Sequence, residues 1–171
     1  MIIFVKIFLK GFTSMPKLKE SDYYYGAVLS TLLNNKVCPV LFESGHDRQI
    51  YDCTTDNGNF RLYLKYRSTA NSTSTPDYYS WQFVFSKNDI EELQTYLNEK
   101  ERLPLVLGLI CGHTPMAKSH YAVVPEDVLR SILNQGKNSV TISWKKGEQN
   151  YRLISDGSRN NAIRLKANAY R

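Results

Sequence analysis

The chain of 171 residues is 42% hydrophobic and 22% charged with a formal charge of +6, which fits one soluble globular domain and excludes a disordered chain. At this length about two thirds of the unfolded surface is buried on folding, so a core forms without a disulfide or metal staple. Three cysteines, Cys38, Cys53 and Cys111, cannot all pair and sit at no metal-ligand spacing, which argues against a zinc ribbon or a secreted disulfide scaffold and for free thiols in a reducing, cytoplasmic setting.

Met1 to Phe12 reads MIIFVKIFLKGF, apolar but broken by Lys6 and Lys10. It is too short to span a bilayer and no small-residue cleavage site follows. It reads as an edge strand or a membrane-surface segment, and Met15 offers a second start. Residues 1–14 are therefore treated as an N-terminal extension and 15–171 as a single domain with no integral membrane association.

Asp22 or Ser21 caps a predicted helix to about Asn34, with Tyr25, Val28, Leu29, Leu32 and Leu33 at helical spacing. Short strands are expected at Val37 to Phe42 and Ile50 to Thr54, around a polar turn at Gly45 to Arg48. Asp56, Asn57 and Gly58 then turn into the clearest strand, Phe60 to Arg67. Its alternation puts Phe60, Leu62, Leu64 and Tyr66 on a core face and Arg61, Tyr63, Lys65 and Arg67 on a polar, basic and aromatic one.

Residues Ser68 to Asp77 form a polar loop, and Tyr79, Trp81, Phe83 and Phe85 give the next strand an apolar face. Ser86 with Asp89 three residues on resembles a capping box opening a helix that buries Ile90, Leu93 and Leu97. The nearly continuous apolar run LPLVLGLIC, residues 103 to 111, predicts a strand covered on both faces at the centre of a sheet. A loop with His113 and His120 leads to a strand at Tyr121 to Val124, then to a helix opened by Pro125 and carrying Val128, Leu129 and Ile132. Val140 to Trp144 and Tyr151 to Ile154 form a predicted C-terminal hairpin. The fold class is α/β (α+β): a mixed central sheet flanked by helices.

No phosphate-binding loop, dinucleotide fingerprint, nucleophile elbow or HExxH is present. His46, His113 and His120 are at an uninformative spacing for zinc, and Cys111 beside His113 fits a structural thiol better than a nucleophile.

The order of elements resembles the restriction-endonuclease-like fold of the PD-(D/E)XK nuclease family over about residues 20 to 112. In that family one strand supplies an aspartate, and the next an acid, an intervening residue and a lysine. The matching strands offer Asp52, or Asp56 at the turn, and Lys65 with Tyr63 two positions earlier. The resemblance implies a divalent-metal phosphodiesterase. Asp52 and Glu43, with Asp56 as a further candidate, would hold Mg2+ while Lys65 stabilises developing charge. Tyr63 departs from the pattern, because a neutral phenol is a poor magnesium ligand. Glu43 or Gln82 would have to take over the role of the missing ligand, and both an active and an inactive nuclease-like protein stay open. The stretches YYYGAVLSTLL, IYDC, LYLKYRS and WQFVFS also resemble an uncharacterised family of small bacterial proteins, which brings no chemistry with it.

Lys65 also has bland readings, as an edge-strand guard or as the partner of Asp52 in a structural salt bridge. Arg61 and Arg67 on its face raise the case for an anion site. The chain's basic character belongs to its ends, with a net +5 over residues 145–171. Lys145, Lys146, Arg152, Arg159, Arg164 and Lys166 there are suited to phosphate-backbone contacts with nucleic acid. Trp81 and Tyr25 are expected in the core, Tyr23 or Tyr24 at the surface, and Trp144 is open. The functional expectation is a nucleic-acid-binding protein. The alternative is a non-catalytic protein-interaction module, with a protein partner or as a homodimer, in a bacterial mobile-element, defence or regulatory system.

Overall fold

The computed structural model describes residues 17–45 and 47–166. The N-terminal apolar stretch, Met15, His46 and the last five residues lie outside the described residues. In chain order the elements are α1 (Glu20–Asn34), β1 (Cys38–Ser44), β2 (Arg48–Thr54), β3 (Phe60–Arg67), β4 (Tyr78–Val84), α2 (Lys87–Asn98) and β5 (Leu105–Cys111). A short 3-10 turn (Met116–Lys118) follows, then β6 (His120–Val124), α3 (Glu126–Asn134), β7 (Ser139–Lys145), β8 (Asn150–Ile154) and β9 (Ile163–Lys166).

Local chemistry accounts for most of these boundaries. The Asp22 carboxylate accepts the Lys19 backbone N–H at 2.7 Å, so α1 begins slightly ahead of its expected cap. Ser86 and Asp89 make the anticipated reciprocal box. The Ser86 hydroxyl accepts the Asp89 N–H at 3.1 Å, and the Asp89 carboxylate accepts the Ser86 N–H at 2.8 Å.

The strands form two sheets: a five-stranded one in the order β1-β2-β3-β5-β6 and a four-stranded one in the order β4-β7-β8-β9. This corrects the expectation of one central sheet. Strand β4 pairs with β7 rather than β3, Tyr79 opposite Trp144, Trp81 opposite Ile142 and Phe83 opposite Val140, which joins two apolar faces. Strands β3 and β5 are parallel, and β4 with α2 makes the crossover between them. The 163–166 segment is an added strand on the hairpin β7–β8. Its single alternation of Ile163 and Leu165 with Arg164 and Lys166 is too short to register in sequence.

Two apolar cores sandwich the first sheet. On one face Tyr24, Tyr25, Val28 and Leu32 of α1 pack against Leu62, Leu64 and Ile110. On the other, Tyr63, Leu105, Leu107 and Leu109 meet Leu93 of α2, Leu129 and Ile132 of α3, and the inner face of the second sheet, including Trp81, Phe83 and Ile142. Strand β5 is covered on both sides, as its continuous apolar run requires. Both faces of β3 are covered too, so the basic face expected at the surface is internal along Tyr63 and Lys65. Of the tyrosine triplet, Tyr24 and Tyr25 are buried and Tyr23 is exposed.

Gly112 sits where two layers converge. Its N–H donates to the Arg67 carbonyl and its own carbonyl accepts the Trp81 indole N–H, both at 2.7 Å. A β-carbon there would lie 2.5 Å from the Ser68 carbonyl oxygen and 2.7 Å from that of Arg67, whereas at Gly26 in α1 it would meet nothing within 4 Å. Gly112→Ala is therefore expected to lose about 2–3 kcal/mol of stability, while Gly26→Ala is neutral or stabilises by up to about 1 kcal/mol. Urea unfolding of the two variants checks the contrast.

Candidate functional site

The sequence-predicted catalytic residues lie along a charged seam between α2 and the sheet. Pairing of β2 with β3 sets Arg48 opposite Lys65 and Asp52 opposite Arg61. Asp52 and Lys65 thus share a face but stand four residues apart along the strands, about 13 Å at the rise of a β-strand. Each finds other partners. Arg61 forks onto Asp52 at 2.7 and 3.1 Å. Its guanidinium lies 3.8 Å from the Phe42 ring centroid and 4.8 Å from that of Tyr96.

Lys65, only 5% exposed, donates to Asp47 at 2.7 Å and to Asp89 at 2.9 Å. The Tyr63 hydroxyl donates to the other Asp89 oxygen at 2.7 Å. Burial opposes the Asp89 charge, yet the donors Tyr63, Lys65 and the Ser86 N–H outweigh it and hold its pKa down to about 2. Arg48 donates to Glu43 at 2.7 Å and also to Glu92, and the Tyr96 hydroxyl donates to Glu43 at 3.2 Å. Burial raises the Glu92 pKa in spite of Arg48.

Asp89, Glu92 and Tyr96 recur at helical spacing, so one face of α2 supplies the counterpart to Arg48, Tyr63, Lys65 and Arg61. Asp56 sits on the exposed turn before β3, and Gln82 is exposed in the second sheet. Among the described residues, no three His, Cys, Asp or Glu side chains are grouped so as to hold a metal ion. Glu43 and Asp52, the acids expected to share magnesium, are each held by a different arginine. Sequence reasoning passed over Asp47, Asp89 and Glu92. The capping box located Asp89, but no local pattern tells that a capping acid also faces a lysine.

The expected nucleic-acid residues fall into two groups. Arg61 belongs to the seam, and Arg67 is exposed at the end of β3. In the second sheet Tyr151, Leu153 and Leu165 point inward with Trp81 and Ile142, so alternation turns Lys145, Arg152, Arg164 and Lys166 outward. Ser80, Ser143, Arg152 and Arg164 form one row across β4, β7, β8 and β9. The Arg159 guanidinium lies 4.6 Å from the Tyr78 ring centroid, which brings the β8–β9 loop over this outer face. Arg152 donates to the Tyr78 hydroxyl at 3.1 Å and to Glu148 at 2.7 Å. The hydrogen bond from Arg152, with Lys145 and Arg164 close by, holds the Glu148 carboxyl below its usual range. Lys146, on the turn after β7, lies 3.8 Å from Asp77. Lys145, Arg152 and Arg164 thus stand near the Glu148 carboxylate on the outward side of the sheet, with Arg159 over the Tyr78 ring, whereas Ser143 in the same row is buried.

The seam generates a stability prediction. Lys65→Met leaves buried acid uncompensated and is expected to cost roughly 3 kcal/mol. Because the Asp89 pKa is lowered from 3.8 to about 2, its contribution is fully present above pH 4 and is lost as pH falls through 2. Asp89→Asn should therefore remove about 2 kcal/mol at neutral pH and flatten that acid limb. Urea unfolding from pH 2 to 7 measures both effects, and an unchanged acid limb in the Asn variant would contradict the assignment.

No described helix is long and apolar enough to cross a membrane. Compared with protein-family models, curated proteins and solved structures, the chain matches none, and its functional reading rests on its own residues.

Proposed function

We propose that this protein binds nucleic acid by holding the phosphate backbone against the outer face of its second sheet. The observation that supports this reading is the collection of Lys145, Arg152, Arg159, Arg164 and Lys166 on one side of four strands with Glu148 as their near carboxylate. Cations kept together at a surface repel one another, and a polyanion relieves that repulsion while releasing its own counterions. Such contacts position a strand without reading its sequence.

The nuclease resemblance, with its restriction-endonuclease-like fold, Mg2+ and phosphodiester cleavage, asks more of the chain. Asp52 would have to leave Arg61, and Glu43 leave Arg48, before they could share a cation. Binding requires no such exchange, so a non-hydrolytic role in a cytoplasmic setting is the simpler reading. Buried thiols at Cys53 and Cys111 accord with that compartment.

A second reading, a protein-interaction module, is favoured by β1. It is an edge strand whose Val40, Leu41 and Phe42 are 66%, 53% and 50% exposed, and such an edge can accept a further strand from a partner or a second copy. If so, light scattering finds an assembly that Leu41→Lys disperses to monomers; a monomeric wild type that captures no extended peptide removes this reading.

For the leading reading, a labelled oligonucleotide is titrated over a salt series. Two exposed cations, Arg164 and Lys166, are replaced together by alanine. Wild-type affinity is expected to fall linearly in log–log form with salt, and the double variant to lower the slope by about 1.5, near 0.7–0.9 per lost phosphate contact. Absence of salt-dependent binding, or equal slopes, overturns the proposal.

A further inference from the structure

The inner aromatic row of the second sheet continues past the core. Trp81 is fully buried, but Tyr79 and Trp144, paired across β4 and β7, are only partly covered. Their rings stack at a centroid separation of 5.9 Å and an angle of 25°. From the first sheet, the segment after β5 brings His113 within 5.0 Å of the Tyr79 ring, and the first residue of β6, His120, lies within 4.3 Å of Trp144. Hydrogen bonds hold Trp144, His113 and His120. The Trp144 indole N–H donates to the Glu148 carbonyl at 2.8 Å, the His113 N–H donates to the Ser119 hydroxyl at 3.0 Å, and His120 Nδ1 is 3.0 Å from the Tyr151 hydroxyl.

Two adjoining hollows open here and share Lys118, His120 and Trp144. One, of about 270 Å3, also reaches Tyr79, His113 and Lys146. The other, of about 690 Å3, extends along Asn150 and Tyr151 to Lys166. Together they fall in the size range of small-ligand pockets. The walls are flat π-systems and the exposed rim carries Lys118, Lys146 and Lys166, with Glu148 as the acid among them. Burial, then His113, lowers the His120 pKa, so the ring adds no charge near neutral pH.

Aromatic walls under an ammonium rim match a molecule that is planar and apolar-faced at one end and anionic at the other. We propose that this cleft binds one nucleotide unit, its base stacked among Trp144, Tyr79 and His120 and its phosphate held by Lys118 and the neighbouring lysines. Stacking on aromatic side chains takes any base, because every base has a π-face. The unit is either a free nucleoside monophosphate or an unpaired residue of a single strand. The latter source rests on the nucleic-acid reading above, and Lys166, at the end of β9, borders both the cleft and the outer sheet face.

Trp144 reports on occupancy, since Trp81 is sealed in the core. Adenosine monophosphate is titrated against the full chain while tryptophan fluorescence is followed, with calorimetry in parallel; adenosine, inorganic phosphate, a short single-stranded oligonucleotide and its duplex are the companion probes. The monophosphate should quench saturably and bind more tightly than adenosine or phosphate alone. Lys118→Ala should weaken the monophosphate about tenfold but leave adenosine little changed, and Trp144→Ala should weaken both at least tenfold by calorimetry, with urea unfolding confirming that each variant is folded. Quenching by monophosphate but not by oligonucleotide supports the cleft and assigns it to free nucleotides. Quenching by single strand but not by duplex supports it and assigns the unpaired residue. Salt-dependent oligonucleotide binding without quenching by any nucleotide overturns the cleft proposal while leaving the sheet-face reading standing. Equal binding of phosphate and monophosphate also overturns it, by reducing the cleft to an anion patch.

Discussion

The Asp89 carboxylate ties the start of α2 to the middle of β3 through three donors. It closes the N-terminus of α2 through the Ser86 N–H, accepts the Tyr63 hydroxyl from β3, and neutralises Lys65 beside it. A helix N-terminus already favours negative charge, so the same anion serves the helix and the lysine. Without it the centre of β3 would present a buried ammonium to the flank of α2. That flank must pack closely, because Leu93 and Leu97 beside it belong to the core under the sheet. The ionic contact and the apolar contact therefore require the same placement of α2.

Further along the same helix, Glu92 and Tyr96 carry the seam through Arg48 and Glu43 to the edge strand, and Arg61 with Asp52 and Glu99 closes it. Arg48, Arg61 and Lys65 are thus committed to partners in the seam, while Arg67 at the end of β3 is exposed. The cations of β7, β8 and β9 meet a different environment. Their strands turn Lys145, Arg152, Arg164 and Lys166 away from the core, with Glu148 near three of them. Residues of one chemical type hold the fold together in one sheet and face outward in the other. Of the outward set, Lys145, Arg164 and Lys166 are exposed, and Arg152 is paired with Glu148.

Much of this was legible beforehand. The Ser86–Asp89 box, the alternation of Phe60 to Arg67, the core positions of Trp81 and Tyr25, and the doubly covered run at Leu105 to Cys111 all rest on interactions between residues close in the chain or on a simple period. The basic character of the last 27 residues was equally plain. It was not plain that Lys145, Arg152 and Arg164 share a face, since that depends on the register of three strands and on β9, whose four residues leave a weak trace.

The amino-acid order by itself determined the helices, most strands and which side chains lie together on each strand, because hydrogen bonding and sterics within a few residues decide those. Tertiary structure alone decided what lies over each face. Alternation groups Arg61, Tyr63 and Lys65, but says nothing of the helix some 25 residues later that covers them with Asp89 and Glu92. Nor does it say that β4 pairs with a strand about 60 residues on. Contacts at that separation depend on how apolar faces from distant segments close on one another, and that closure turned an expected solvent-facing lysine into an internal tie.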